Sequence, residues 1–393
     1  MKTRFFASTM AGAPVLSGTA GSLIAILDAC LVNGFGLQTA TSVVVTGTTA
    51  VATFAAAPAA VIDSVVLVAG ATPTGLNGNQ RVTAVTSTTV SWTTTAAAGT
   101  ATGTITIRLA AAGWAKTFTG TNLAAYKSLA PESTGCLLRV EDTTTTTALI
   151  RGFETMSDVS TGTGLFPNLA QFAAAGLFVS KSNGADTTAR PWFVIADDRS
   201  VYYFVRNIIS GTGQFQGNFF GDIVSFKSAD PFACVIKANT IDRSPNSGGI
   251  LDELSMADNS RVGSTSGGFI ARQPNNIGGS TQVFHTVSLA QMDGGSSNYL
   301  CGAVGMPYPS PVDNGLMLAP MTVFNSTGYR GTFPGLMSSP MNVRGNFTAG
   351  QVVEGSGTMV GKKVMAILMG NFTGPTDTNA GTLFIDHIGP WRT

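Results

Sequence analysis

The chain has 393 residues, and its 22 Lys and Arg residues against 21 Asp and Glu give a net charge of +1. This balance leaves no overall field to attract nucleic acid or an anionic membrane, so we expect no nucleic-acid partner. Hydrophobic residues make up 44% of the chain, which excludes a disordered protein. The apolar runs are shorter than the ~20 residues of a membrane span, so we expect no membrane insertion.

Charged residues are scarce, at 11% of the chain against roughly 25% in a typical soluble domain. A free monomer with so few surface charges has little repulsion to keep it in solution. Permanent interfaces, in contrast, are depleted in charge. The composition therefore predicts an assembly with copies of itself or with other proteins.

The first 42 residues are expected to form an arm and a helix of the main domain. Residues 1–21 are rich in Gly, Ser and Thr and predict an irregular arm. The charged start Met1–Phe6 resembles the beginning of a signal peptide, but the following stretch is too polar, so none is expected. Ser22 is expected to cap a helix that ends at Asn33-Gly34.

Residues 43–109 predict a small β module inserted into the main domain. The segment has almost no charge and contains four short runs rich in β-branched residues. Asn77-Gly78 is expected to form a tight turn with two positive φ angles. The runs are Val65–Val68, Arg81–Val85, Thr88–Trp92 and Thr104–Leu109.

Residues 110–393 predict a main β-rich domain of the sandwich or jelly-roll kind. Its expected strands include Cys136–Val140, Ala148–Phe153, Trp192–Asp197, Ser200–Val205, Phe219–Phe226, Phe232–Ile236, Phe269–Arg272, Gln282–Leu289, Asn298–Val304, Lys362–Met369 and Leu383–Asp386. Asn168–Phe178 favours a short helix, and the polar stretch 239–268 favours a long contact-making loop. The fold class is therefore mainly β, with a short N-terminal helix and an inserted Ig-like or barrel-like module.

The cysteines indicate no metal or redox chemistry. Cys30, Cys136, Cys234 and Cys301 lie far apart in sequence, and no C-x-x-C occurs. Buried free thiols are the expected state, which suits folding in a reducing cytoplasm. A disulfide that forms after folding is kept as an alternative.

His285 and His387 are the only histidines, so a metal site would need distant acids. Asp386-His387 is typical of a pair at the end of a strand, and Asp197-Asp198 of the tip of a hairpin, rather than of a cation site. A pair of catalytic carboxylates is kept as an alternative, because the two acids of a glycosidase can come from any part of a fold. We expect no catalytic residue, no cofactor and no metal, and hence no enzyme.

The glycine clusters and the aromatic residues have structural interpretations too. Gly162-Thr163-Gly164 and Gly211-Thr212-Gly213 lack the sequence context of a phosphate loop. One aromatic set has the composition of a sugar-binding platform, but its spacing favours core and subunit interface. Its members are Trp192, Tyr202, Tyr203, Phe215, Phe219 and Phe220.

Several segments resemble poorly characterised virion structural proteins of tailed bacteriophages. They are Ser8–Pro14 running into Leu23–Gly36, Gly113–Lys116, Thr121–Tyr126, Phe220–Ile223, Tyr329–Leu336 and Ile385–Arg392. None is a motif with a known chemical role, so no functional residue is carried over. The resemblance implies a component of a phage particle, and the inserted module resembles the Ig-like and small-barrel modules of such proteins.

The expected function is a structural component of the virion, made in the host cytoplasm. A tail or baseplate location is favoured, with host attachment through a surface glycan or protein as a further role. A capsid decoration (cement) protein is the first alternative. A phage glycan hydrolase or depolymerase, from a different functional class, is the second, and a secreted adhesin is the last.

Overall fold

The structure, a computed structural model, describes residues 2–172, 174–206, 215–239, 267–285, 302, 305–370 and 380–392. Strands make up 47% and helices 5%, in several antiparallel sheets with one α-helix near the N-terminus. The predicted mainly-β class with a short N-terminal helix is confirmed.

The N-terminal segment is more ordered than predicted. Strand β1 (Arg4–Ala7) pairs with Trp192–Ala196 as the edge of a large sheet, so the expectation of an irregular arm is wrong at these residues. Burial of the Phe6 side chain, which is 0% exposed, holds this strand in place.

The predicted helix begins one residue after an unexpected cap. Helix α1 (Ser22–Leu27) continues as a π-helical segment, Asp28–Asn33, and Gly34 follows it as expected. Gly21 is the N-cap, and Ser22 is the first helical residue. The Ser22 hydroxyl donates to the carbonyls of Ser17 and Thr19, so it does not cap the helix.

The next eight strands form one antiparallel sheet in the order β2-β9-β5-β6-β7-β4-β3-β8. They are β2 (Phe35–Thr39), β3 (Ser42–Thr46), β4 (Thr49–Thr53), β5 (Val65–Ala69), β6 (Gly78–Val85), β7 (Thr89–Thr93), β8 (Gly99–Thr100) and β9 (Thr106–Leu109). The chain enters along β2 and leaves along β9, and these two strands pair, as in an inserted unit.

The expected tight turn at Asn77-Gly78 is wrong. Asn77 has an extended backbone with φ −75°, and only Gly78 has a positive φ. The Asn77 side chain instead bonds both the N–H and the carbonyl of Ala71, which closes a longer connection between β5 and β6.

A five-stranded sheet follows, in the order β10-β11-β12-β13-β16. The strands of this part are β10 (Trp114–Gly120), β11 (Leu123–Ser128), β12 (Leu137–Glu141), β13 (Thr147–Phe153), β14 (Thr155–Met156), β15 (Gly162–Thr163) and β16 (Leu177–Ser180). The helix expected at Asn168–Phe178 is wrong, because the described residues form a turn closed by Asn168 and Gln171, and Phe178 lies in β16.

The centre of the main domain is a seven-stranded sheet in the order β1-β17-β18-β19-β21-β22-β23. The strands introduced here are β17 (Trp192–Ala196), β18 (Ser200–Val205), β19 (Gln216–Asp222), β20 (Val224–Ser225), β21 (Cys234–Ala238), β22 (Gly267–Ile270), β23 (Thr281–Gln282) and β24 (Phe284–His285). Most of the polar loop expected at 239–268 and the strand expected at 298–304 lie outside the described residues.

The last strands complete a second sheet in the order β24-β26-β27-β31-β30-β29, with β20 pairing to β27. They are β25 (Met306–Pro307), β26 (Ala319–Asn325), β27 (Gly328–Ser338), β28 (Met341–Asn342), β29 (Val352–Glu354), β30 (Lys363–Gly370) and β31 (Ala380–Asp386). The pairing of β30 with β31 matches the ribbon expected near the end of the sequence.

The central sheet is buried on both faces. Val201, Tyr203 and Val205 point to a core shared with α1, the five-stranded sheet and the eight-stranded sheet. Tyr202 and Phe204, between them in β18, point to a second core against the last sheet. The apolar runs of β17 and β18 are therefore continuous rather than alternating.

The eight-stranded sheet is fastened to the main domain by polar contacts. The Arg81 guanidinium donates to the carbonyls of Asp63, Thr3 and Ile388. Lys363 pairs with Asp63 at 2.8 Å. Among the described residues, no helix has the length and apolar character needed to cross a membrane.

Candidate functional site

The two histidines are both buried and lie in different surroundings. His285 stands edge-on to the Phe333 ring with centroids 5.9 Å apart. His387 Nδ1 lies 3.1 Å from the Lys363 carbonyl, and Nε2 lies 3.8 Å from Asp63 Oδ2. No three His, Cys, Asp or Glu side chains of the described ranges are grouped to hold a metal ion.

Asp386 and His387 use different partners. Asp386 accepts from the backbone N–H groups of Ile388 and Gly389 and pairs with Lys362 at 2.8 Å. The arrangement closes the turn after β31. It fastens that turn to β30 through Lys362 and, through His387, to the carbonyl of Lys363.

We expect mild acid to destabilise the protein through His387. Burial lowers the pKa of His387 from 6.5, although the Lys363 carbonyl and Asp63 oppose the effect. The unfolded chain therefore takes up this proton first as the pH falls. Stability should drop, by on the order of 1 kcal/mol, between the unfolded pKa and the lower folded one. Urea denaturation at pH 7 and pH 5 measures it.

His387→Gln is expected to reduce this pH dependence. Asp158→Asn is the matched control, because Asp158 is exposed and its pKa is lowered by hydrogen bonds from Ser160 and Thr161. Its charge is thus constant over this pH range. Equal losses in the wild-type protein and in His387→Gln would contradict the prediction.

Asp197 and Asp198 form a buried hairpin tip rather than an open cation site. Asp197 Oδ1 accepts from the N–H groups of Arg199 and Ser200, and Asp197 Oδ2 pairs with Arg392. The Asp198 carbonyl accepts from the Ser128 hydroxyl. Burial, together with the charge of Asp197, raises the pKa of the Asp198 carboxyl.

The aromatic set expected in the core is found there. Five of its six side chains are buried, namely Trp192, Tyr202, Tyr203, Phe219 and Phe220. Phe215 is half-buried and stands edge-on to Phe193, with centroids 4.7 Å apart. A surface platform made of these rings is therefore ruled out, and their expected place in the core is confirmed.

The described cysteines have the expected form. Cys30, Cys136 and Cys234 are free and buried, and burial raises the pKa of the Cys30 and Cys234 thiols well above its ordinary value. Cys301 lies outside the described residues. Gly162-Thr163 forms β15 and Gly164 follows it, while Gly211-Thr212-Gly213 falls outside the described residues.

A cleft of about 560 Å³, lined by polar and apolar groups in equal measure, opens where the three sheets of the main domain meet. It is the candidate functional site. Its lining comes from four separate parts of the sequence, which are Glu132–Thr134, Arg199, the segment from Ile223 to Ala233, and Arg392. Sequence reasoning missed it. The hairpin tip at 197–199 and the turn at 226–231 carry no motif that would have signalled it.

Asp222 holds one wall of the cleft. Its carboxylate accepts from the Thr134 N–H at 3.0 Å, from the Thr134 hydroxyl at 2.6 Å and from Arg199 Nε at 3.0 Å. Its carbonyl accepts from Ser200 and Arg392. Asp222 is 1% exposed, so this buried carboxylate fixes the loop before β12 and the Arg199 side chain together.

Asp230 organises the opposite wall. Its carboxylate accepts from the Ser225 hydroxyl at 2.9 Å and the Phe232 N–H at 3.0 Å, and it pairs with Arg330 at 3.1 Å. The turn between Ser225 and Asp230 is thereby fixed, and its exposed residues are Phe226–Ala229.

The carboxylates that hold the two walls of the cleft are paired with arginines. Asp222 and Asp230 are each neutralised by an arginine. The lining holds neither histidine nor cysteine, so none of its hydroxyls has an imidazole base in the lining. Among the described contacts, Arg199 uses only its Nε, so its two terminal amino groups are available to a ligand.

The comparisons with known proteins do not extend this description. No protein-family model matches the chain, and no curated protein matches it.

Proposed function

We propose that this protein is a structural component of a tailed-bacteriophage virion, located in the tail or baseplate. It works by binding, without catalysis or a cofactor. Its partners are copies of itself and other virion proteins, and it takes part in host attachment. Capsid decoration is the alternative within the same class.

The proposal rests mainly on one observation, that the few charged side chains of the molecule pair with one another. Most carboxylates of the described residues pair with an Arg or Lys of the same chain, and several pairs are largely buried. Examples are Asp142–Lys181, Asp230–Arg330, Asp197–Arg392 and Asp222–Arg199. The remaining surface is mostly neutral, as in permanent interfaces.

Exposed apolar side chains support the same proposal. Several large apolar side chains are more than half exposed, although similar side chains are buried in the two large cores of the molecule. They include Leu37, Ile62, Leu129, Leu169, Ile277, Val312 and Val360. Neighbours in an assembly would cover such positions.

Copy number per purified virion, measured by quantitative mass spectrometry against the major capsid protein, tests the proposal. A low number in multiples of three or six, as closed symmetric rings require, supports a tail location. A copy number on the order of hundreds would favour the decoration alternative, since closed shells repeat one subunit many times. Complete absence from particles would overturn the virion proposal.

The depolymerase alternative is tested separately. Glu132 is the exposed carboxylate of the cleft and the acid that an enzyme would use there. Cleavage of host polysaccharide that disappears in Glu132→Gln would replace binding by catalysis. No cleavage by either protein supports binding, whereas equal cleavage by both would place a catalytic site elsewhere in the molecule and would also contradict the proposal.

A further inference from the structure

We propose that the cleft binds an acidic sugar unit, with Arg199 holding its carboxylate and the hydroxyl-bearing walls holding its ring. The inference deepens the proposed function and rests on it for the source of the sugar, a host surface glycan. The chemistry itself is argued from the cleft.

Arg199 has the free donors that a carboxylate needs. Its Nε is committed to Asp222 Oδ2 at 3.0 Å, which fixes the plane of the guanidinium. Its side chain is 24% exposed and lines the cleft. The terminal amino groups offer parallel N–H donors, and a carboxylate accepts these with both oxygens.

The charges around the cleft cancel, which favours a ligand with no more than one negative charge. Arg199, Lys227 and Arg392 line the cleft together with Glu132 and Asp230. Asp222 and Asp197 pair with Arg199 and Arg392 from behind, and Arg330 pairs with Asp230. A dianion such as phosphate would meet no excess positive charge to offset its desolvation, whereas one carboxylate needs only the guanidinium of Arg199.

Hydroxyl groups on both walls suit the rest of a sugar ring. Ser133 accepts from the Gly135 N–H and keeps its own hydroxyl proton to donate. Ser228 is exposed in the opposite turn, and Glu132 adds acceptors. Phe226, 63% exposed beside the lining residues Ser225 and Lys227, offers an apolar face next to the cleft. Polar donors beside an aromatic face match the mixed surface of a sugar.

The cleft needs little reorganisation to bind. Asp222 and Asp230 already hold its two walls through several hydrogen bonds each. Groups fixed in this way lose little conformational entropy when a ligand arrives.

Calorimetric titration of the full chain with glucuronic acid, glucose and inorganic phosphate tests the proposal. Glucuronic acid is expected to bind on the order of tenfold more tightly than glucose, because one charge-assisted bidentate contact distinguishes them. Phosphate is expected to bind more weakly than glucuronic acid.

Two variants locate the binding in the cleft. Ser228→Trp fills the cleft from an exposed turn. Arg199→Lys keeps the positive charge but removes the two parallel N–H donors of the guanidinium. Each is expected to weaken glucuronic acid binding by on the order of tenfold or more. Ser87→Trp, at an exposed position in the turn between β6 and β7, is the matched control and should bind as the wild type. Circular dichroism verifies that all three fold.

Unchanged glucuronic acid binding in both cleft variants would overturn the proposal, as would the absence of any binding or phosphate binding as tight as that of glucuronic acid. These results are independent of copy number in the virion. A protein abundant in particles that binds no sugar acid would retain its structural function and lose this site. A protein that is absent from particles but binds glucuronic acid would retain this site and lose the proposed structural function.

Discussion

Asp142→Asn is expected to lower the free energy of unfolding by about 3–5 kcal/mol, the cost of breaking a buried ion pair from one side. Asp142 and Lys181 form a salt bridge in which both side chains are 0% exposed. Lys181 Nζ also donates to the carbonyls of Thr19 and Thr144. Burial raises the pKa of Asp142 and lowers that of Lys181, so each charge depends on the other. Equilibrium urea denaturation measures the loss.

Asp142 performs two tasks, and the substitution removes the one that neutralises Lys181. Its Oδ2 accepts from the N–H groups of Leu23 and Ile24 at 2.8 and 3.2 Å, which caps helix α1. The other oxygen neutralises Lys181. Asparagine retains an acceptor for the helix but leaves a buried ammonium without its counter-ion.

Lys181→Met in the Asp142→Asn background separates the two tasks. Removing the orphaned charge is expected to restore most of the lost stability, because a buried pair replaced by apolar atoms is often neutral. Glu354→Gln is the control, since Glu354 is 75% exposed, 3.7 Å from Lys363, and should cost less than about 1 kcal/mol. A double variant no more stable than the single one would contradict the orphaned ammonium as the source of the loss.

The strands that sequence predicts best are those with dense apolar runs. The hairpin of β17 and β18 and the ribbon of β30 and β31 agree with the structure in type and position. The runs of β17 and β18 are continuous because both faces of the central sheet are buried, and β30 and β31 likewise contribute residues to two cores. The order of strands within the sheets was beyond prediction, because β1 adds to β17 across about half of the chain.

Misplaced elements share a physical cause. Asn77 satisfies its side chain on the backbone of Ala71, and this tertiary bond overrides the turn preference of Asn-Gly. Helix α1 is capped by Asp142, 119 residues away from Leu23, and not by the adjacent Ser22. Local pattern reasoning has no access to such partners.

The cleft is likewise a product of the tertiary fold. Thr134 and Asp222 meet through a hydrogen bond between residues 88 positions apart, and Arg392 reaches Asp222 from 170 positions away. Single residues from separate strands then form one lining. The Asx-type tip at Asp197 is the one local feature of this region that its sequence indicates.

The segment after β31 closes the second core, and its key residue is Trp391. This side chain is 9% exposed, its Nε1 donates to the Asp386 carbonyl at 2.6 Å, and its ring stands edge-on to Tyr202 with centroids 5.5 Å apart. Trp391→Ala removes the ring from a packed site and should cost about 3–5 kcal/mol of unfolding free energy. Urea denaturation measures it, with Tyr329→Ala, at a 72% exposed ring, as the small-effect control.

Gly335 provides a sharper test of the same contact. A Cβ at this position would lie 2.1 Å from Trp391 Nε1, and Gly335 has a φ of +67°. Gly335→Ala alone is therefore expected to destabilise through both the clash and the backbone strain. In the Trp391→Ala background the clash disappears and only the strain persists, so the two substitutions together should cost less than their sum. Strict additivity would mean that the indole does not rest on this glycine, and the second core would then be closed by other contacts.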